Sequence, residues 1–149
     1  MIEKFNDQAK LVLRLSLRTA NNECAAEITT RHLLIALMIE AKSPAAAAIS
    51  ELHITQQMVK QDWESDDNRY PSMLPAQTIR FSRRFNLAMK YASIESKALS
   101  SSYIGPEHLL LGILRLNEGY VMRLMTSNHI DISKLRARAM ELSESHGIT

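Results

Sequence analysis

A shift of 76 positions lays this chain on itself. Phe5 falls on Phe81, Leu11 on Leu87 and Ile28 on Ile104, His32-Leu33-Leu34 on His108-Leu109-Leu110, and His53-Ile54 on His129-Ile130. The register holds without a gap from the first of these pairs to the last, which marks a tandem duplication. The fold must therefore be one that half the chain can build twice.

The repeat also decides which secondary structure each half uses. "KLVLRLSLR" alternates apolar and polar residues from Leu11 to Arg18, a pattern that taken alone reads as a strand. Its counterpart "NLAMKYASI" does not alternate, and Phe81, Phe85, Ala88, Met89 and Ala92 fall on one helical stripe. Duplicated halves share a fold, so both segments are expected to be helical. Composition agrees: four glycines and four prolines in 149 residues leave few breakers, and Ala, Leu, Met, Glu, Lys and Arg are abundant.

Four helical pieces are expected in each half. The first covers about 6–21 or 82–99, and the second opens at Thr29 or Gly105, where Gly105-Pro106-Glu107 supplies a tolerated cap, a first-turn proline and a first-turn carboxylate. The third covers about 44–52 or 120–128, and the fourth follows the N-cap residues Thr55 and Asp131. The polar, proline-bearing "ESDDNRYPSMLPAQT" reads as a linker. The expected organisation is all-α: one domain over 1–149, with repeats at about 5–63 and 80–145 and a linker at about 64–79.

A chain with 46% hydrophobic and 23% charged residues can bury a core and is not a disordered tail. Net charge is only +2, which gives no strong electrostatic case for nucleic acid. A single cysteine, Cys24, suits a reducing compartment, and the longest uncharged apolar run, Leu33 to Ile39, is too short to span a bilayer. A soluble, cytoplasmic protein is expected. None of the glycines stands in a G-x-x-x-x-G-K-[ST] phosphate loop, and neither H-E-x-x-H nor G-x-S-x-G occurs. No catalytic activity, cofactor or metal is therefore expected. His32 and His108 are expected to pack behind a helix start with a ring nitrogen bonded to backbone. His53 and His129 are expected just past helix ends, where left-handed backbone tolerates them.

The phenylalanine openings "FNDQAKLVL" and "FSRRFNLAM", the "HLL" helix starts and above all "YIGPEHLLLGILRLNEG" resemble the Clp N-terminal repeat domain, found at the front of ClpC- and ClpA-type AAA+ unfoldases. The resemblance covers about Phe5 to Ser143. It implies two four-helix repeats related by pseudo-twofold symmetry. It also implies a protein-interaction module that docks adaptor and substrate proteins of a Clp protease system, and the unfoldase itself as a further partner. The chain is then either the N domain of a longer unfoldase or a free-standing relative.

Similar domains bind phosphorylated arginine through a glutamate at the second helix's start and a hydroxyl residue near the first helix's start. Residue by residue, that implies Ser82 and Glu107 in the second half. In the first half Asn6 and Arg31 replace them, and a cation there would repel guanidinium. Without the resemblance, Glu107 complements the helix dipole. Arg31 is expected to project into water, or else to attract an acidic partner or a bare phosphate. The competing function is nucleic-acid binding, for which "IRFSRRFNLAMK" gathers Arg80, Arg83, Arg84 and Lys90 with few interleaved aromatics.

Overall fold

The computed structural model describes residues 4–61 and 79–148. Eight helices occur among them: α1 (Asp7–Asn22), α2 (Thr30–Ile39), α3 (Pro44–Glu51), α4 (Gln56–Gln61), α5 (Arg83–Ala98), α6 (Pro106–Arg115), α7 (Gly119–Ser127) and α8 (Ile132–Ile148). The second four repeat the first four in the register of the sequence. The expected linker falls almost wholly outside the described residues.

Several of the helices start where a side chain takes up an orphan backbone amide. Asn6 Oδ1 accepts from the Ala9 amide at 2.9 Å, and its counterpart Ser82 Oγ from the Phe85 amide at 3.1 Å. At the second helices a histidine side chain reaches back to the cap residue's own amide. His32 Nδ1 accepts from the Thr29 amide at 2.8 Å, and His108 Nδ1 from the Gly105 amide at 2.9 Å. Histidine thus performs the backward half of a capping box, a place more often taken by Glu or Gln. That is the physical reason for the repeated "HLL": the histidine closes the turn and the leucines behind it enter the core. Leu33, Leu34, Leu37, Leu109 and Leu110 are fully buried, and Ile113 nearly so.

"KLVLRLSLR" is indeed helical, and the alternation misleads because the leucines are not its most buried residues. Ala9, Val12, Ser16 and Ala20 form the buried stripe at helical spacing, while Leu11 and Leu17 remain exposed. Phe81 departs from the expected stripe. It precedes α5 in extended backbone, is 43% exposed, and stacks on Phe85 with ring centroids 4.6 Å apart. The residues after several helices (Cys24, His53, Ser100 and His129 among them) adopt left-handed φ values near 55–61°, which end their helices without glycine.

The two halves are joined crosswise. The extended pair β1 (Glu27–Ile28), just before α2, runs parallel to β2 (Arg80–Phe81), just before α5, and the Ser82 amide donates to Ile28 O at 2.8 Å. The matching junction bridges Phe5 to Ile104, with the Asn6 amide donating to Ile104 O at 3.0 Å. Shifting either junction by the repeat register produces the other, which is what a pseudo-twofold axis requires. Helices interleave likewise: α3 packs on α8, α2 on α6 and α7, and Tyr120 of α7 donates to Val59 O of α4 at 2.6 Å.

Within the second half, α5 and α6 cross closely at Gly112. A β-carbon there would lie 2.4 Å from Ala88 O and 2.8 Å from Ala92 N, both backbone atoms that cannot swing away. Helix propensity alone would make Gly112→Ala stabilising by about 1 kcal/mol. Overpacking costs about 1–3 kcal/mol and should outweigh it. The expected outcome in chemical denaturation is a lower midpoint for Gly112→Ala; a raised midpoint would refute the close crossing.

Candidate functional site

The pairs expected within each half are not brought together. Ser96 Oγ, near the C-terminal end of α5, donates to Tyr103 O at 2.6 Å, so the loop leading to α6 and Glu107 lies at that end of the helix. Ser82 caps the other end, about 21 Å away at 1.5 Å rise per residue. Arg31 likewise lies at the C-terminal end of α1, pairing with its C-cap residue Glu23, whereas Asn6 caps the start. The crosswise junctions repartner these residues. Asn6 stands at the start of α6, where a β-carbon on Gly105 would be 3.1 Å from Asn6 Nδ2 and 2.0 Å from Glu107 Oε1. Ser82 is tied instead to Ile28, ahead of α2. A site at either place is composite, built from both halves.

Arg31 does not project into water. It is 1% exposed, and its guanidinium donates to Glu23 Oε1. His32, whose Nδ1 is engaged at Thr29, turns Nε2 toward the same carboxylate oxygen at 3.0 Å. Partial burial works against ionising Glu23, but the hydrogen bonds from His32 and Arg31 hold it down at about 2. A buried guanidinium beside a helix N-terminus is costly alone, and this carboxylate compensates it. The sequence carried a signal for it: Glu23 has Leu99 as its counterpart, just as Arg31 has Glu107, so both members of the ion pair are absent from the second half.

Glu107 occupies the opposite electrostatic situation. It is 3% exposed, and its Oε1 has no hydrogen-bond partner among the described residues. Burial pushes its carboxyl up to about 7, with the charge of Glu40 adding to the effect, while its own backbone amide and Ser143 restrain the rise. Glu40, which closes α2, is also buried and also has an unpartnered Oε1 among the described residues. Next to Glu107, burial drives His108 down to about 4. Tyr103 lies edge-on to the His108 ring at 5.6 Å between centroids. Burial raises the Tyr103 phenol, and so does the Glu107 charge.

A pocket of about 200 Å³ adjoins this group, lined by Leu99, Tyr103, His108, Met140, Ser143 and Glu144 among others. Sequence reading missed Glu40, Met140, Ser143 and Glu144, because the end of α2 and the face of α8 reach α6 only through the tertiary fold. A larger open groove of about 610 Å³ lies where α3 and α7 end against α8, spanned by the Arg138–Glu51 ion pair at 2.5 Å. In the basic stretch, Arg84 Nε lies 3.7 Å from Glu118. Among the described residues no three His, Cys, Asp or Glu side chains gather as metal ligands, and no single helix is long and apolar enough to cross a membrane.

The two shifted groups act in opposite directions on stability. Glu107 is raised from 4.5 to about 7, so the folded state holds an extra proton between those values and stability falls as pH rises through that window. His108 is lowered from 6.5 to about 4, so the folded state holds fewer protons there and stability rises with pH. Glu107→Gln should leave only the second effect. Its denaturation midpoint should climb more steeply between pH 5 and 7, and at pH 8 its unfolding free energy should exceed the parent's by about 1–3 kcal/mol. A variant less stable than the parent at pH 8 would show that the ionised carboxylate is satisfied.

The family model for the Clp repeat (R) N-terminal domain matches residues 4–144. The chain is 30% identical over 146 residues to the negative regulator of genetic competence ClpC/MecB of Bacillus subtilis (strain 168), covering 98% of this chain and 18% of that protein. The chain thus spans under a fifth of the length of that relative. Among solved structures, the Hsp104 N-terminal domain from Candida albicans superposes with a TM-score of 0.79 at 15% identity, over 93% of this chain and 91% of that one. A ClpV N-domain in complex with a VipB peptide gives 0.73 at 23% identity, over 95% and 89%. With a matching repeat, matching helix starts and a family model that spans nearly its whole length, this chain belongs to the Clp repeat N-terminal domain family.

Proposed function

We propose that this chain is a non-catalytic docking module that receives adaptor or substrate proteins for a Clp AAA+ unfoldase–protease system in the cytoplasm. The observation that carries this reading is family membership over residues 4–144. A ClpV N-domain of the same fold has been captured with a VipB peptide, which supports peptide docking as a use of this architecture.

The ligand chemistry we infer is a guanidinium-bearing side chain, phosphoarginine included. A carboxylate accepts a guanidinium through paired hydrogen bonds, and Glu107 has the oxygen to offer. Asn6 takes the place beside it that sequence reasoning assigned to Ser82. Arg31 supplies the reason for asymmetry between the halves: with its guanidinium engaged by Glu23, the first half's position repels another guanidinium instead of receiving one.

Affinity capture with the purified full chain tests the module. A Clp unfoldase ring, or an adaptor of that ring, should be retained through washes at moderate salt. Retention on DNA that falls steeply with salt, with no Clp component recovered, would replace this reading by nucleic-acid binding.

A further inference from the structure

The two halves also differ on the flank of their first helices. In the second half this flank is polar and closed. Glu95 of α5 is 3% exposed, and Arg136 of α8 donates to both of its carboxylate oxygens, at 2.5 and 2.7 Å. Arg115, at the end of α6, lies 3.7 Å from the same carboxylate, with its guanidinium 5.2 Å from the centre of the Tyr91 ring. The repeat register puts Leu15 at the place of Tyr91, Thr19 at that of Glu95 and Ile39 at that of Arg115. An aliphatic surface thus stands in the first half where the second has an ion-pair cluster.

Leu11 and Leu15 stand one turn apart on the same side of α1. Leu11 is 37% exposed and Leu15 is partly buried against the core, while Ile39, the last residue of α2, is 43% exposed. Thr19 turns its hydroxyl back onto Leu15 O at 2.8 Å, so its donor is spent inside the helix. A single exposed leucine is ordinary, but aliphatic side chains gathered where the other half is sealed by guanidinium groups make a contact surface. Its border is basic. Arg14 and Arg18 follow Leu11 and Leu15 by three residues each, Lys42 follows Ile39 by three, and all three cations are exposed. Asp7 is the sole acidic residue of α1.

Resting on the docking reading, we propose that the face formed by Leu11, Leu15 and Ile39 receives an acidic amphipathic helix of a docked protein, its apolar stripe on these three side chains and its carboxylates beside Arg14, Arg18 and Lys42. The apolar residues of a helix laid along α1 recur at the i, i+4 spacing of Leu11 and Leu15. A second copy of this chain is a poor occupant, because two such faces brought together set arginines against arginines. A nucleic acid would find the cations but no aromatic ring among these residues on which to stack a base. The second half does not offer the same seat, since Arg115 lies over Tyr91 there.

Titration of the full chain followed by NMR reads this directly, with a stapled helical peptide as probe that carries leucines at i, i+4 and i+7 and glutamates on both flanks. Resonances of Leu11, Leu15 and Ile39 should shift together and saturate, while those of Tyr91 stay in place. Ile39→Arg, which installs the second half's residue at an exposed position, should weaken binding about tenfold or more, the scale of one apolar side chain lost from the contact. Arg14→Gln combined with Arg18→Gln should weaken it most at low salt. A peptide with lysines in place of the glutamates should bind more weakly. Absent shifts at millimolar peptide, binding indifferent to Ile39→Arg, or equal binding of the lysine peptide would each overturn the proposal. So would finding no peptide binding but an Ile39→Arg-sensitive attachment to phosphatidylglycerol vesicles, or an Ile39→Arg-sensitive self-association, which would assign the face to lipid or to a second copy. If the parent chain and Ile39→Arg capture Clp partners equally well, the docking reading stands and this surface is not its site, so the two failures are separable.

Discussion

The backbone pairing between the halves is the constraint from which the rest of this structure follows. The segment before α1 is hydrogen-bonded to the segment before α6, and the segment before α5 to the one before α2. Two parallel contacts of one or two residues are too short to stand as sheets. Their effect is to fix helix starts from different halves side by side. Each start is already closed by its own side chain, Asn or Ser on one member and His on the other, so the pairing assembles four finished N-termini into two composite corners. Leucines following the histidines then meet across the interface as a continuous core.

A symmetric frame of this kind lets the two corners diverge electrostatically without changing the fold. At one, Glu23, Arg31 and His32 form a closed network in which a buried cation is matched inside the chain. At the other, Leu99 and Gly105 replace Glu23 and Thr29. The missing β-carbon at Gly105 leaves room for the Glu107 carboxylate to fold back over the turn. Burial of that carboxylate raises its proton affinity, and Glu40 adds to the strain. The carboxylate that the first corner matches internally has no counterpart at the second, where Glu107 Oε1 lacks a hydrogen-bond partner among the described residues.

Much of this was legible in the residues. The repeat register, the helix starts at Thr29 and Gly105, the capping role of His32 and His108 and the left-handed His53 and His129 all follow from local chemistry, and local chemistry is what a sequence displays. The pairing of Ser82 with Glu107 assumed that each half completes its own site, whereas the junctions set each helix start beside one from the other half. Arg31 was misplaced for a related reason. Its partner Glu23 lies eight residues away across a turn, and only the contrast with Leu99 in the other copy hints at the pair. Glu40 and the α8 residues carry no local mark at all; long-range packing brings them to α6.

Native-state hydrogen exchange on the full chain tests the crosswise junctions most directly. If they hold the two halves as one cooperative unit, the Asn6, Ser82 and Ile104 amides exchange only through global unfolding, with the same free energy as core amides such as Leu34 and Leu110. Exchange of the junction amides through a lower-energy opening, with the helix cores of each half still protected, would show that the halves stand independently and would contradict the account.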